Sequence, residues 1–309
     1  MSHLAFVFPG QGSQSVGMMQ GYGANCVREA FAEASDALGY DLGALVAGGP
    51  VESLNQTVHT QPAMLAAGVA VWRAWQALGG KAPAVMAGHS LGEYTALVAA
   101  GVLSFADALV LVQARARLMQ EAVPEGTGGM AAILGLEDEA VRAVCREAAD
   151  SEVLEPVNFN SPGQVVIAGH RAAVERGMAL AKAKGAKRAL LLPVSVPSHC
   201  ALMRPAAMAL RERLAGVPFK TPRIPVLHNA DVAAYDDVEA IRDALSRQLY
   251  SPVRWVETVR AMGARGVTHM AECGPGKVLA GLNKRIDSTM ETFALTDDAQ
   301  LAQLAGLAI

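Results

Sequence analysis

Apolar residues in the first third of the chain fall into short unbroken runs separated by longer stretches at helical spacing. Leu4 to Phe8 is five apolar residues closed by Pro9-Gly10, the mark of a short first strand. A loop rich in Gly, Gln and Ser follows at 10 to 17. Helical periodicity then returns around 25 to 38 and 62 to 78, ahead of a second apolar strand, Ala84 to Ala87. The Gly-rich turn at 88 to 92 leads into helices expected at about 93 to 100 and 105 to 121. Ser104 and Asp107 stand at capping-box spacing and Gly101 interrupts the apolar run from Tyr94 to Gln113. That run therefore predicts two buried helices rather than a membrane span.

Pro124, Gly126, Gly128 and Gly129 mark a boundary, after which the pattern changes. It predicts a strand at 129 to 135, a helix at 137 to 148, a strand at 153 to 159, the turn Ser161-Pro162-Gly163, a strand at 164 to 168, a helix at 171 to 184 and a strand at 187 to 195. That order, β-α-β-β-α-β, is the ferredoxin-like split pattern. Past Pro197 the chain resumes helical spacing, then predicts a strand at 224 to 228, helices at 237 to 249 and 252 to 264, a strand from Val267 to Glu272 and a Gly-Pro-Gly turn at 274 to 276. The expectation is an α/β fold in which a small unit, 126 to 195, is inserted into a larger one built from 1 to 125 and 196 to 309.

Composition narrows the function classes. With 52% hydrophobic and 18% charged residues over 309 positions, the chain is neither a disordered scaffold nor a small domain that needs staples. Lys and Arg number 26 against 29 Asp and Glu, with no long basic run, which argues against nucleic acid as a partner. Cys26, Cys145, Cys200 and Cys273 show no C-x-x-C spacing, so neither a zinc site nor a disulfide framework is expected. Met1 to Pro9 lacks a basic leader and reads as a first strand rather than a signal peptide; a reducing cytoplasm is the expected location. No dimerisation pattern stands out, and a monomer is expected.

Gly88-His89-Ser90-Leu91-Gly92 is the sharpest chemical feature, a G-x-S-x-G between an apolar strand and a helix. Glycines at both ends permit the tight turn of a nucleophile elbow, and the Leu91 amide at the helix N-terminus can face an oxyanion. The bland alternative is a capping serine on a Gly-rich turn. A serine nucleophile needs a base, and of seven histidines His199, in Val196-Pro197-Ser198-His199, stands at the junction of the two units, where clefts form. His269, inside an apolar strand, is expected to be structural. Arg115 falls on the apolar stripe 108, 111, 112, 115, 118 and 119, whereas Arg117 does not. A core-facing guanidinium requires an anion, either an internal carboxylate or a substrate carboxylate gripped by two N–H groups. Pro9-Gly10-Gln11-Gly12-Ser13-Gln14 lacks the third glycine of a dinucleotide fingerprint, Ser15 standing in its place, and better suits a loop that offers backbone amides near the elbow.

Taken in order, Gly10-Gln11-Gly12-Ser13-Gln14, Gly88-His89-Ser90-Leu91-Gly92-Glu93, Arg115, Asn158 to Gln164, Val196-Pro197-Ser198-His199, Gln248 and Ser251-Pro252-Val253-Arg254-Trp255 resemble the malonyl-CoA:acyl-carrier-protein transacylases over essentially the whole chain. The resemblance implies a hydrolase-like α/β subdomain with a parallel sheet and an inserted ferredoxin-like subdomain. It implies Ser90 as nucleophile, His199 as base, the Gln248 carbonyl orienting that imidazole, and the amides of Gln11 and Leu91 as the oxyanion hole. Arg115 would bind the malonyl carboxylate, with His89 and Asn160 lining the site. The implied substrates are malonyl-CoA and holo acyl carrier protein, with no metal or redox cofactor and a role in fatty-acid or polyketide synthesis. An acidic carrier would meet a basic patch, for which Lys182, Lys184, Lys187 and Arg188, or Lys284 and Arg285, are candidates. A serine esterase or thioesterase would share the elbow but would need a pair such as Asp231 and His269. A patatin-like lipase would need an Asp-Gly dipeptide, which the chain lacks. A non-catalytic carrier-binding module is the third possibility.

Overall fold

The computed structural model describes residues 3–194 and 196–307. Ser195, the last residue of the expected strand and of the expected inserted unit, lies outside the described residues, as do Met1 and Ser2 of the expected N-terminal segment. Strand β1 (Leu4–Phe8) is followed by helices α1 (Asn25–Leu38), α2 (Leu42–Gly48), α3 (Val51–Leu54) and α4 (Thr57–Ala77). Strand β2 (Val85–Gly88) then leads directly into α5 (Gly92–Ala99) and α6 (Phe105–Glu121). The next six elements are β3 (Gly128–Leu134), α7 (Asp138–Ala149), β4 (Leu154–Ser161), β5 (Gln164–His170), α8 (Arg171–Ala183) and β6 (Arg188–Leu191). Helix α9 (Arg204–Ala215), strand β7 (Val226–Leu227), and helices α10 (Val238–Gln248) and α11 (Trp255–Ala264) come next. Strand β8 (His269–Glu272), α12 (Val278–Ile286), β9 (Glu291–Ala294) and α13 (Asp298–Ala305) complete the order.

Two sheets organise these elements. The first has the order β7-β2-β1-β8-β9 with every pair parallel. Helices cover it on both faces, which is why β1 and β2 are buried at every position and read as unbroken apolar runs. The second sheet has the order β4-β5-β3-β6 and is antiparallel throughout, the arrangement the ferredoxin-like pattern predicts. Its residues alternate: Ala131 and Ile133 pack with Val141, Val144 and Val174 under α7 and α8, while Met130, Val166 and Ala168 turn the other way and pack against Cys200. The helix-free face of the small sheet is therefore laid against the segment that carries His199. A parallel bridge between Asn158 and Val253, with the Val253 amide donating to the Val157 carbonyl at 2.8 Å, joins the sheet to the segment before α11.

Several expected boundaries shift for identifiable reasons. The strand expected at 187–195 pairs only over Arg188–Leu191; the Leu192 amide still donates to the Met130 carbonyl at 2.9 Å, and Pro193, which has no N–H, cannot carry the ladder further. The helix expected from 252 begins at Trp255, since Val253 is engaged in the bridge. The long helix begins at Thr57 rather than 62 and carries Pro62 inside it. Helices α5 and α6 are separate, with Ser104 Oγ accepting from the Asp107 amide at 3.1 Å. Among the described residues no helix is long and apolar enough to cross a membrane.

Candidate active site

The elbow forms at the carboxyl ends of β1 and β2, where open parallel sheets place their ligand crevices. Ser90 has φ of 51°, a region that side-chain-bearing residues occupy only when the surroundings hold them there. Asn229, just beyond β7, supplies that hold. Its Oδ1 accepts from the Ser90 amide at 2.7 Å and its Nδ2 donates to the Gly88 carbonyl at 2.6 Å, clasping the turn from both sides. A Cβ on Gly88 would fall into the backbone of Gly92, and one on Gly92 would strike the Phe8 carbonyl, so both ends of the motif require glycine. The amides of Gly92, Glu93 and Tyr94 donate back to the carbonyls of His89, Ser90 and Leu91 at 2.9, 3.1 and 3.0 Å. None of these bonds uses the Leu91 amide, which stands at the N-terminus of α5. Gln11 lines the same cavity of about 140 Å³ as Ser90, His89 and His199.

His199 reaches this turn from the far side of the chain. Its Nε2 lies 2.7 Å from Ser90 Oγ and its Nδ1 lies 2.8 Å from the Gln248 carbonyl at the end of α10. A carbonyl can only accept, so Nδ1 carries the proton and Nε2 is left to accept from the Ser90 hydroxyl. The His199 amide donates to the Leu249 carbonyl at 2.9 Å and holds the residue at φ of 67°. Burial, reinforced by the charge of Arg115, holds the imidazole pKa down at about 3 against the pull of the Gln248 carbonyl. The ring is therefore neutral at ordinary pH.

Arg115 is wholly buried, as its place on the α6 stripe predicts. The directly paired internal carboxylate that the sequence allowed is not found: among the described residues no carboxylate is in ion-pair contact with Arg115, and amide side chains take its N–H groups. Nη1 donates to Gln61 Oε1 at 2.8 Å, and Nη2 donates to Gln248 Oε1 at 3.0 Å and to Ser90 Oγ at 3.3 Å. Tyr94 sits under the guanidinium at 5.5 Å from ring centre to Cζ. Arg115 does not line the cavity itself and meets it through Ser90 Oγ. Arg117, by contrast, is exposed and donates to Gln113.

His89 and Asn160 also come together, His89 Nε2 lying 2.8 Å from Asn160 Oδ1 across the junction between the large and small sheets. Burial pushes the His89 pKa down, so its ring is held neutral as well. Asp231 and His269 do not meet. Asp231 accepts two bonds from Arg247 at 2.6 Å, and His269 faces Glu291 on the opposite edge of the parallel sheet. The esterase-type pair is thus not assembled.

The acyl transferase domain family matches residues 5–308. The malonyl CoA-acyl carrier protein transacylase of Salmonella typhimurium is 62% identical over 304 residues, covering 98% of each chain. The chain belongs to this transacylase family. The crystal structure of an acyl carrier protein S-malonyltransferase from Vibrio cholerae superimposes with a TM-score of 0.96 at 61% identity, covering 98% of this chain and 100% of that one. A malonyl-transacylase solved in complex with a type II PKS acyl-carrier protein gives 0.97 at 57% identity, covering 98% and 99%. The α/β fold with a parallel and a separate antiparallel sheet is the one these transacylases share.

Within this family fold, the residues that hold the site were only partly visible in the sequence. Gln61, Glu93, His228 and Asn229 are all buried and all bonded to site residues or to one another, yet none has a motif that assigns it a task. The usable signal was polarity in the wrong place: Gln61 opens an apolar stretch of α4, and Glu93 interrupts the apolar first turn of α5.

Proposed function

We propose that the chain transfers a malonyl group from malonyl-CoA to the phosphopantetheine thiol of acyl carrier protein through a malonyl-Ser90 ester. The observation that carries this reading is Arg115, a buried guanidinium that no carboxylate of the described residues contacts directly, 3.3 Å from the hydroxyl of the nucleophile candidate. A fixed cation beside the reacting oxygen selects an acyl group that bears its own carboxylate. Family membership and the names of the relatives agree with it.

In this mechanism Nε2 of His199 takes the Ser90 proton as Oγ attacks the thioester carbonyl. The amides of Gln11 and Leu91 hold the tetrahedral oxyanion, and the malonyl carboxylate replaces Ser90 Oγ as acceptor for Arg115 Nη2. Collapse breaks the C–S bond, and the imidazolium returns the proton to the departing coenzyme A sulfur. The carrier thiol then gives its proton to His199 and attacks the ester, and the proton passes back to Ser90 as the malonyl thioester leaves. His89 lines the cavity beside Ser90, and Asn160 steadies its ring by accepting from Nε2. These steps draw on no metal or redox group. A trough of about 730 Å³, lined by Gln11, Gln14, Asn55 and Gln56, continues from the cavity and offers side-chain amides to those of a pantetheine arm.

The same reading divides the chain into a hydrolase-like subdomain, 1–125 and 196–309, and an inserted ferredoxin-like one, 126–195. It places the enzyme in the cytoplasm as a monomer serving fatty-acid synthesis. Lys187 and Arg285, from the two basic clusters, line one surface cavity and mark the carrier's docking side. A second reading, malonyl supply to a polyketide carrier, is favoured by the likeness to the transacylase solved with a type II PKS acyl-carrier protein.

Intact-protein mass after brief mixing with malonyl-CoA tests the reaction. An adduct that is absent from Ser90→Ala and moves to holo acyl carrier protein is expected. No adduct would leave a binding module, and loss to water without transfer would make the chain a thioesterase.

A further inference from the structure

Behind the elbow lies an anion to which the steps above give no task. Glu93, on the first turn of α5, is completely enclosed. Its Oε1 lies 2.7 Å from His228 Nδ1, and its Oε2 accepts from the Asn229 amide at 2.9 Å and from Gln248 Nε2 at 3.0 Å. Two of these partners touch the reacting groups. Asn229 holds the Ser90 amide through Oδ1, and Gln248 orients His199 through its main-chain carbonyl.

The side chain of Gln248 connects the two charges. Its Nε2 donates to Glu93 and to the Ser90 carbonyl at 2.9 Å, while its Oε1 accepts from Arg115 Nη2 at 3.0 Å. A primary amide donates only from nitrogen and accepts only at oxygen. The carboxylate of Glu93 therefore dictates which end of Gln248 faces Arg115; turned over, the amide would set its NH2 against the guanidinium. An anion in direct contact with Arg115 would occupy the N–H groups that an incoming carboxylate needs, and a guanidinium with no anion nearby would be costly to bury. One amide between them meets both demands.

We propose that Glu93 is a positioning residue for acyl-group selection: acting through the Gln248 side-chain amide, its carboxylate aims Arg115 beside Ser90 and balances its charge while leaving it available to a substrate carboxylate. The proposal rests on the reading of Ser90 and Arg115 given above. It separates the two duties of Gln248, whose main-chain carbonyl serves His199 with any acyl group and whose side chain serves Arg115 with a carboxylated one.

The test compares Glu93→Gln and Glu93→Asp with wild type, measuring Ser90 acylation by malonyl-CoA and by acetyl-CoA at equal amounts of folded protein. Glu93→Gln should lower kcat/KM for malonyl-CoA about tenfold more than for acetyl-CoA, the loss of a bond that orients a charged group. Glu93→Asp keeps the charge and should recover most of the preference. Equal losses with both substrates, an unchanged preference or a gained one would each overturn the proposal. If Glu93→Gln does not fold, Glu93→Asp decides alone: a selective malonyl loss of about threefold supports the proposal and an equal loss refutes it. Wild type that accepts neither acyl group would refute the transacylase reading itself, whereas an active wild type with an indifferent Glu93→Gln would refute this proposal only.

Discussion

The two sheets contribute to the cavity in different currencies. The parallel sheet and the elements around it bring the groups that can react: Ser90 on the turn after β2, His199 anchored on the end of α10, and Arg115 on α6. These groups are held by buried polar bonds, two of the residues lie at positive φ, and the glycines that frame the turn tolerate no side chain. The antiparallel sheet brings walls. Met130, Asn158 and the coil residues Leu192 and Val194 line the cavity; the small sheet is tied to the reacting side by the bond between Asn160 and His89, by Glu155 accepting from the Ala201 amide at 3.1 Å, and by the bridge to Val253. One region has its polar groups locked to one another, and the other is a conventional apolar core with one face turned to the site. Substitutions in the first should therefore change what reacts, and those in the second should change how firmly the site is enclosed.

The largest effect expected is from Arg115→Met, which removes the charge while filling much of the volume. Ser90 acylation by malonyl-CoA should fall about 10²- to 10³-fold, corresponding to a lost charge-assisted pair, while acylation by acetyl-CoA changes little. Stopped-time mass spectrometry with both thioesters measures the ratio, and a preserved malonyl preference would remove Arg115 from substrate selection. On the other side, Ile133→Ala empties a fully buried site under α7 and α8, turned away from the cavity. Denaturant unfolding should show a loss of about 3 kcal/mol, with the malonyl-to-acetyl ratio as in wild type. A changed ratio would mean that the small sheet does more than enclose.

What the sequence made legible follows the same division. The unbroken run of β1, the glycine-framed turn after β2 and the six-element order of the small sheet could be read because each depends on local spacing. Helices α2 and α3 escaped: they are 7 and 4 residues long, set among Gly39, Gly49 and Pro50, and offer too few turns for a period to show. The burial of Arg115 was visible in the stripe of α6, but its partners were not, since Gln61 and Gln248 stand 54 and 133 residues away. His199 was a candidate base from its place at the junction of the two units, but the Gln248 carbonyl entered through family resemblance, because a hydrogen bond spanning 49 residues leaves no local pattern. Asn229 clasps the elbow from 139 residues away and was not anticipated at all.

Asn160→Ala tests the side-chain bond that joins the small sheet to His89 beside the nucleophile. It leaves His89 Nε2 without its partner in a buried setting, which corresponds to about 1–2 kcal/mol, so the acylation rate should fall roughly tenfold for malonyl and acetyl donors alike. An effect confined to one donor would place Asn160 in acyl selection instead.

The smallest expected effect is an absence of pH dependence, and it bears directly on the polar side. An exposed histidine serving as base would lose activity as the pH falls through about 6.5. His199, enclosed and beside Arg115, has its pKa pushed down to about 3, so it remains an acceptor for the Ser90 proton well below that point. The acylation rate constant, measured by rapid quench between pH 8 and 5, should therefore vary by no more than about twofold. The sign for stability is opposite in consequence: the unfolded chain, with an ordinary imidazole, takes up the proton first. This group's contribution is complete above about pH 6.5 and is lost as the pH falls toward 3. Acid should thus weaken the fold before it protonates the base, and a rate that falls through pH 6 to 7 in protein still folded by circular dichroism would show that the imidazole is not shielded as the buried geometry requires.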